Sequence, residues 1–221
     1  MVLLQHRILK YFFLFTLNVV SSTSGSDYWQ QKVDYKMNIT LNDSLRSLSG
    51  ISSVNYKNNS PDTLTSIFFH LYPNAFQRGS VKYREYLQKY GSPSRQHFFK
   101  TGLKNNESKI VVKKIEVSNI LNPSKLVSYK IDDTVLEVIL ENGLKPLDEL
   151  SLILVWEHYI GEQVERAGYV DGQYNMAQWY PKVAAYDEKG WHADPFHAEG
   201  EFYGDFGDFD VTLNLPNKFI V

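Results

Sequence analysis

The 221-residue chain contains no cysteine. Disulfides, thiolate metal sites, a cysteine nucleophile and a lipidated cysteine are therefore excluded. A net basic field is also missing. The 23 Lys and Arg stand against 25 Asp and Glu, a formal charge of −2. No such balance drives multiple phosphate contacts, so nucleic acid is excluded as a general partner. The sequence has no HExxH pair of metal ligands and no G-x-S-x-G nucleophile turn. Its apolar run from Tyr11 to Val20, interrupted by Thr16 and Asn18, covers about 15 Å as a helix, half a bilayer core.

What is present is a core-forming composition. Hydrophobic residues make up 43% and aromatic residues 14% of the chain. A domain of this size buries enough surface to fold without staples. At the N-terminus, Arg7 and Lys10 precede the apolar run, and small residues follow from Ser21 to Ser26. This is the layout of a secretory signal peptide. We expect residues 1–24 to be removed, with no stable membrane anchor, and the product to be secreted, periplasmic or held at the cell surface.

The remainder, residues 25–221, reads as strands. Val33, Tyr35, Met37 and Ile39 alternate with polar residues, the period-2 pattern of a half-buried strand. Further strands are expected over Ile51 to Tyr56, Leu64 to Tyr72, Ile110 to Val117, Leu126 to Ile131, Val135 to Leu140, Leu150 to Trp156 and Phe209 to Leu215. Turn chemistry separates them, as in Asn58-Asn59-Ser60-Pro61-Asp62. The expected fold is all-β, an antiparallel sandwich or saddle-like domain with one or two short helices. One helix is expected over Ser80 to Gly91, where Tyr83, Tyr86, Leu87 and Tyr90 fall at i, i+3, i+4 and i+7 between capping residues. The bases of the helix and the loop after it (Arg78, Lys82, Arg84, Lys89, Arg95 and Lys100, against Glu85 alone) read as a solvated insertion rather than an anion site. The last residues, Lys218-Phe219-Ile220-Val221, read as the start of another apolar strand. Ending there looks like a cut through a larger protein.

Candidate chemistry gathers between residues 168 and 207. The stretch Trp191 to Glu201 holds His192, His197, Asp194, Glu199 and Glu201, which are zinc-ligand types. Pro195 and Gly200 break any helical ligand spacing, so hydrogen-bonded loop histidines are the favoured reading, and no metal ligand is assigned. A small metalloenzyme built on His192, His197 and Glu199 is the third-ranked alternative.

The same stretch carries a family resemblance. The run Tyr174 to Lys182, then Ala185-Tyr186-Asp187, Gly190-Trp191-His192, Glu199 to Tyr203 and Phe206 to Val211, resembles the N-terminal domain of secreted M1-family zinc metallopeptidases, the aminopeptidase N-like gluzincins. Gly50, Tyr56, Asn58 to Leu64 and Phe69 to Phe76 agree upstream. The resemblance implies a β-rich domain that packs on a thermolysin-like catalytic domain, which carries HExxH and is absent here. Zinc would then belong to that missing domain, with no cofactor and no catalytic residue in this chain. The implied partners are the catalytic domain of the same polypeptide and the N-terminus of a peptide substrate. The implied role is substrate gating in an aminopeptidase, with this chain inactive alone. In such enzymes a Gln or Glu of the N-terminal domain helps hold the substrate ammonium, which needs acceptors. The matching positions here are Gln178 and Asn175, with Gln173 a further candidate; Gln178 could equally bond backbone in a buried turn. The competing class is a free-standing secreted binding module, for carbohydrate or a protein ligand, using Trp179 and Trp191 as stacking platforms.

Overall fold

The computed structural model describes residues 28–91, 107–119, 122–162 and 166–221. The expected signal peptide lies outside these residues, as does the loop after the helix. Fourteen strands and two short helices are assigned among the described residues. Strands β1 (Lys32–Asn42), β2 (Ser47–Lys57), β3 (Leu64–His70), β4 (Lys109–Asn119), β5 (Asn122–Leu126), β6 (Tyr129–Asp132), β7 (Val135–Leu144) and β8 (Glu149–Tyr159) form the body. A second group follows: β9 (Ala167–Val170), β10 (Gln173–Met176), β11 (Lys182–Val183), β12 (Tyr186–Asp187), β13 (Gly190–Trp191) and β14 (Asp208–Asn214).

Two sheets hold most of the chain. One runs β14-β1-β2-β8-β4-β5 and the other β11-β3-β7-β6. The period-2 pattern explains the core. In β8 the residues Leu150, Leu152, Leu154, Trp156 and His158 are buried while their neighbours are not. The four apolar ones share one cluster with Ile67 and Phe69 of β3 and with Leu136 and Val138 of β7, so the two sheets face each other. Each such side chain contributes about 1.5–3 kcal/mol by leaving water. The fold is thus the expected all-β sandwich-like domain, with one departure. β1 pairs β14 in parallel, in register from Asp34–Asp208 to Thr40–Asn214. A parallel neighbour needs a long crossover, and residues 160–207 supply it.

Two positions show why particular residues stand where they do. Gly50 lies opposite Trp156 in the β2–β8 ladder. A Cβ at Gly50 would come within 2.3 Å of the indole ring. Glycine therefore lets the tryptophan lie over the strand, where its Nε1 donates to Ser52 Oγ at 2.9 Å. Asn58 is fully buried. Its amide donates to the carbonyls of Asp62 at 2.7 Å and Leu144 at 3.0 Å. Its Oδ1 accepts from Ser60 Oγ at 2.6 Å, Ser60 N at 3.1 Å and Gln31 Nε2 at 3.3 Å. The turn after β2 is organised around this one side chain.

The helix α1 spans Val81–Tyr90, with Ser80 accepting from the Tyr83 N–H and Gly91 closing the end at φ 70°. Both caps are as the sequence implies. Its facing is not. The tyrosines are half-buried or exposed, and the side chain that is buried is Lys82. Its ammonium lies 4.7 Å from the Phe76 ring centre and 4.2 Å from that of Phe196, where ring faces attract a cation. Lys82 is therefore no solvated base. Arg78 and Lys89 pair with Glu107 and Glu199.

Three other expectations shift. β3 ends at His70, and Tyr72–Phe76 forms a 3-10 helix instead, because Pro73 cannot donate to a ladder. The stretch from Leu126 to Ile131 is two strand ends, β5 and β6, joined across Val127 and Ser128. Residues 218–221 form no strand; Phe219 N–H closes a turn onto the Pro216 carbonyl at 3.0 Å.

Candidate functional site

Most of the family-like segment lies in the crossover that leads to β14. The β9–β10 hairpin turns at Asp171 and Gly172, both at positive φ. β10 places Asn175 opposite Gly168, and its Oδ1 accepts from Gln173 Nε2 at 2.8 Å. The chain then bends at Ala177 and Gln178. Gln178 adopts φ 52°, the left-handed region that few non-glycine residues enter. It is half-buried, and its side-chain amide makes no hydrogen bond among the described residues. The turn-anchoring alternative finds no partner for that amide among the described residues. Asn175 and Gln178 stand three residues apart on either side of the end of β10.

Trp179 follows and is held from behind. Its carbonyl accepts from His158 Nδ1 at 3.1 Å, and His158 Nε2 accepts in turn from Ser108 Oγ at 2.9 Å. That carbonyl can only accept, so Nδ1 carries the ring proton. Burial lowers the His158 pKa to about 4 despite the Trp179 contact. The ring is neutral near pH 7 and serves as a two-ended clamp. It is far too weak a base for Ser108 to be an activated nucleophile.

Beside the hairpin lies an apolar hollow of about 620 Å³. Leu41, Ile160, Met176, Trp179, Leu213 and Phe219 supply its walls, and Gln173 and Lys218 lie at its polar side. Neither Asn175 nor Gln178 lines it; Gln173 does. Asp43 fixes the edge, accepting from Tyr174 Oη at 2.7 Å and from Lys218. The Lys218 hydrogen bond is the main reason the Asp43 carboxyl is held below its ordinary range, with Tyr174 second. Sequence reasoning missed this hollow. Its one legible sign was the apolar content of 174–179; Leu41 and Leu213 join it only through the β1–β14 pairing.

The aromatic segment divides in two. Trp179 packs on Trp156 at 6.1 Å and Tyr180 at 5.2 Å. Trp191 packs on Tyr186 at 5.0 Å and Phe68 at 5.4 Å. Both rings are engaged with the core rather than offered as sugar platforms. Phe206, Phe209 and Tyr203 are the exposed ones, at 87%, 50% and 53%.

The histidines of the loop do not converge. His192 Nε2 meets Asp187 Oδ2 at 2.7 Å, and Tyr203 Oη donates to the same oxygen at 3.1 Å. The His192 bond is the leading reason the Asp187 pKa is lowered. His197 Nδ1 meets Glu85 Oε1 at 2.6 Å, while Glu199 pairs with Lys89. Among the described residues, no three metal-ligating side chains come together. The donor set does not fit zinc, and no chemistry through a metal is derived from it.

No protein-family model and no curated protein sequence matches the chain. Among solved structures, it is similar to a variant of a two-domain M1 zinc metallopeptidase bound to L-arginine, at 14% identity and TM-score 0.45, over 86% of this chain and 33% of that one. It is similar to the M1 zinc metallopeptidase from Deinococcus radiodurans at 14% identity and TM-score 0.44, over the same shares. The chain thus spans about a third of the length of these structures.

Proposed function

We propose that residues 25–221 are the N-terminal β domain of a secreted M1-type zinc aminopeptidase, and that Gln178, with Asn175, contributes to holding the substrate's free amino group. The observation that carries this is Gln178 itself. Its backbone sits in a conformation that costs of the order of 1 kcal/mol, and its amide has no partner among the described residues. The zinc, the general base and the remaining ammonium acceptors belong in this reading to a catalytic domain. That domain would cover the apolar surface of Phe206, Phe209, Val211 and Leu213, a patch of the kind that marks an interface. A carbohydrate module is disfavoured because Trp179 and Trp191 are engaged with the core.

The test is kinetic. In the longer enzyme, Gln178→Ala lowers kcat/KM for free-amine substrates roughly ten- to a hundredfold, the worth of a hydrogen bond to a charged group. Residual cleavage of an N-acetylated substrate changes little. Equal loss on both substrates, with a lower Tm, would make Gln178 a structural anchor and end the assignment.

A further inference from the structure

We propose that the outer edge of β14 pairs with β14 of a second copy of this chain, antiparallel about a twofold axis at Val211, which makes one continuous sheet of two; this is independent of the peptidase reading. A sheet edge presents a row of N–H and C=O groups that templates another strand, and proteins blunt such edges with short strands, lysine, proline or bulges. The other edges of the two large sheets are blunted in this way. β5 is short, includes Pro123 and Lys125, and meets β4 across a register shift. β6 has 4 residues and carries Lys130, and β11 has 2, one of them Lys182. β14 has none of these devices. It runs 7 residues, all exposed, without lysine or proline, and its register with β1 is unbroken. Among the described residues no strand pairs with its outer side. This row of main-chain groups is distinct from the side-chain face that a catalytic domain would cover.

The strand's own sequence says which partner fits. Phe209, Val211 and Leu213 stand opposite Tyr35, Met37 and Ile39, so they continue the apolar face of β1, while Asp208, Asp210 and Thr212 lie on the other face. A twofold pairing keeps the two faces apart only where apolar positions meet apolar positions, since side chains alternate along a strand. A twofold at Asp210 satisfies this but sets that carboxylate against its own copy, and a twofold at Thr212 pairs only residues 210–214. The twofold at Val211 pairs the whole strand: Val211 meets Val211, Phe209 meets Leu213, Asp210 meets Thr212 and Asp208 meets Asn214. No acid then stands directly opposite an acid, the arrangement that destabilises a ladder, and Asp210 is answered within its own sheet by Lys36. Because both copies use the same edge, the contact closes at a dimer and does not propagate.

The experiment is sedimentation velocity of the full chain over a range of concentrations. A contact between two strand edges lies at the small end of specific interfaces, so a dimer with a Kd of the order of 10 µM is expected. Val211→Lys sets two ammonium groups face to face at the twofold, and Val211→Glu sets two carboxylates; each is expected to weaken association about tenfold or more. An equimolar mixture of the two variants is expected to associate again, because lysine then faces glutamate. Should either variant fail to fold, amide hydrogen exchange of the unaltered chain decides: the outward N–H groups of β14 are expected to exchange more slowly as concentration rises through the Kd. A chain that stays monomeric at about ten times that concentration, association that both variants retain, a mixture that stays apart, or β14 exchange that ignores concentration would overturn the proposal and leave the edge to another segment or partner.

Discussion

In β8, Leu150, Leu152, Leu154 and Trp156 turn to one side and meet β3 and β7. In β14, Phe209, Val211 and Leu213 also turn to one side, yet they remain 50%, 39% and 42% exposed. Both strands alternate, and both are paired along their length. The difference is only what lies across from them. β14 is held by its ladder to β1 and by Phe209, which stacks on Tyr35 at 4.7 Å and 1°. Strand formation and burial are therefore separate events: pairing alone makes β14 a strand, while β8 is fixed by pairing and by a second sheet. The histidines follow the same division. His70 and His158 sit neutral in the packed half. His192 and His197 in the crossover each face a carboxylate.

The largest expected effect separates the two histidine classes. The folded pKa of His70 and His158, about 4, lies below the ordinary 6.5. The unfolded chain then takes up protons first, so stability is complete above about pH 6.5 and falls as pH drops toward 4. Each group should cost roughly 3 kcal/mol across that window. Urea unfolding at several pH values checks this, and His158→Gln should flatten the slope. Asp187 and Glu85 have lowered pKa values, so their contribution fails only at more acid pH. A stability that stays level from pH 6.5 to 4.5 would mean the packed half tolerates charged histidines.

Next in size is truncation of the core. Trp156→Ala should destabilise by about 3–5 kcal/mol, because it leaves a void between β2 and the second sheet. A loss under about 1 kcal/mol in denaturant melts would show that the site collapses and that β8 is no better anchored than β14. A further test adds a methyl group: Gly50→Ala should cost about 1–3 kcal/mol by overpacking against the indole. The smallest effect belongs to the edge. Val211→Thr should change stability by no more than about 0.5 kcal/mol. A loss several times larger would mean that β14 is covered in solution.

How far the sequence spoke for itself follows the same line. Alternation located β1, β2, β4, β7 and β8 because each has one covered face. Ser80 and Gly91 located the helix because caps act locally. The inward turn of Lys82 was illegible, since it depends on Phe196, more than a hundred positions away. The parallel ladder of β1 with β14 was illegible for the same reason: nothing in either strand names its partner. The local sequence of Gln178 suggested a role, but its left-handed backbone, and an amide with no hydrogen bond among the described residues, appear only in three dimensions. The hollow beside it draws on residues from Leu41 to Phe219, a grouping that no window of sequence contains.

Asn58 has one more consequence, for how the chain must be made. Asn58-Asn59-Ser60 reads as an acceptor for N-linked glycan, N-x-S, as do the motifs at Asn38 and Asn42. The amide nitrogen that would carry the sugar at Asn58 is instead buried and bonded to two carbonyls. Oligosaccharide transfer there is possible only before the turn closes, and a chain so modified cannot close it. In a glycosylating secretory host, each molecule therefore faces a race between the transferase and the fold. Intact-mass analysis of the soluble product should show Asn58 bare, with any Asn58-modified chains in the insoluble fraction, whereas Asn38 and Asn42, exposed on β1, can accept sugar without penalty to folding. A production strain that lacks the transferase removes the race altogether.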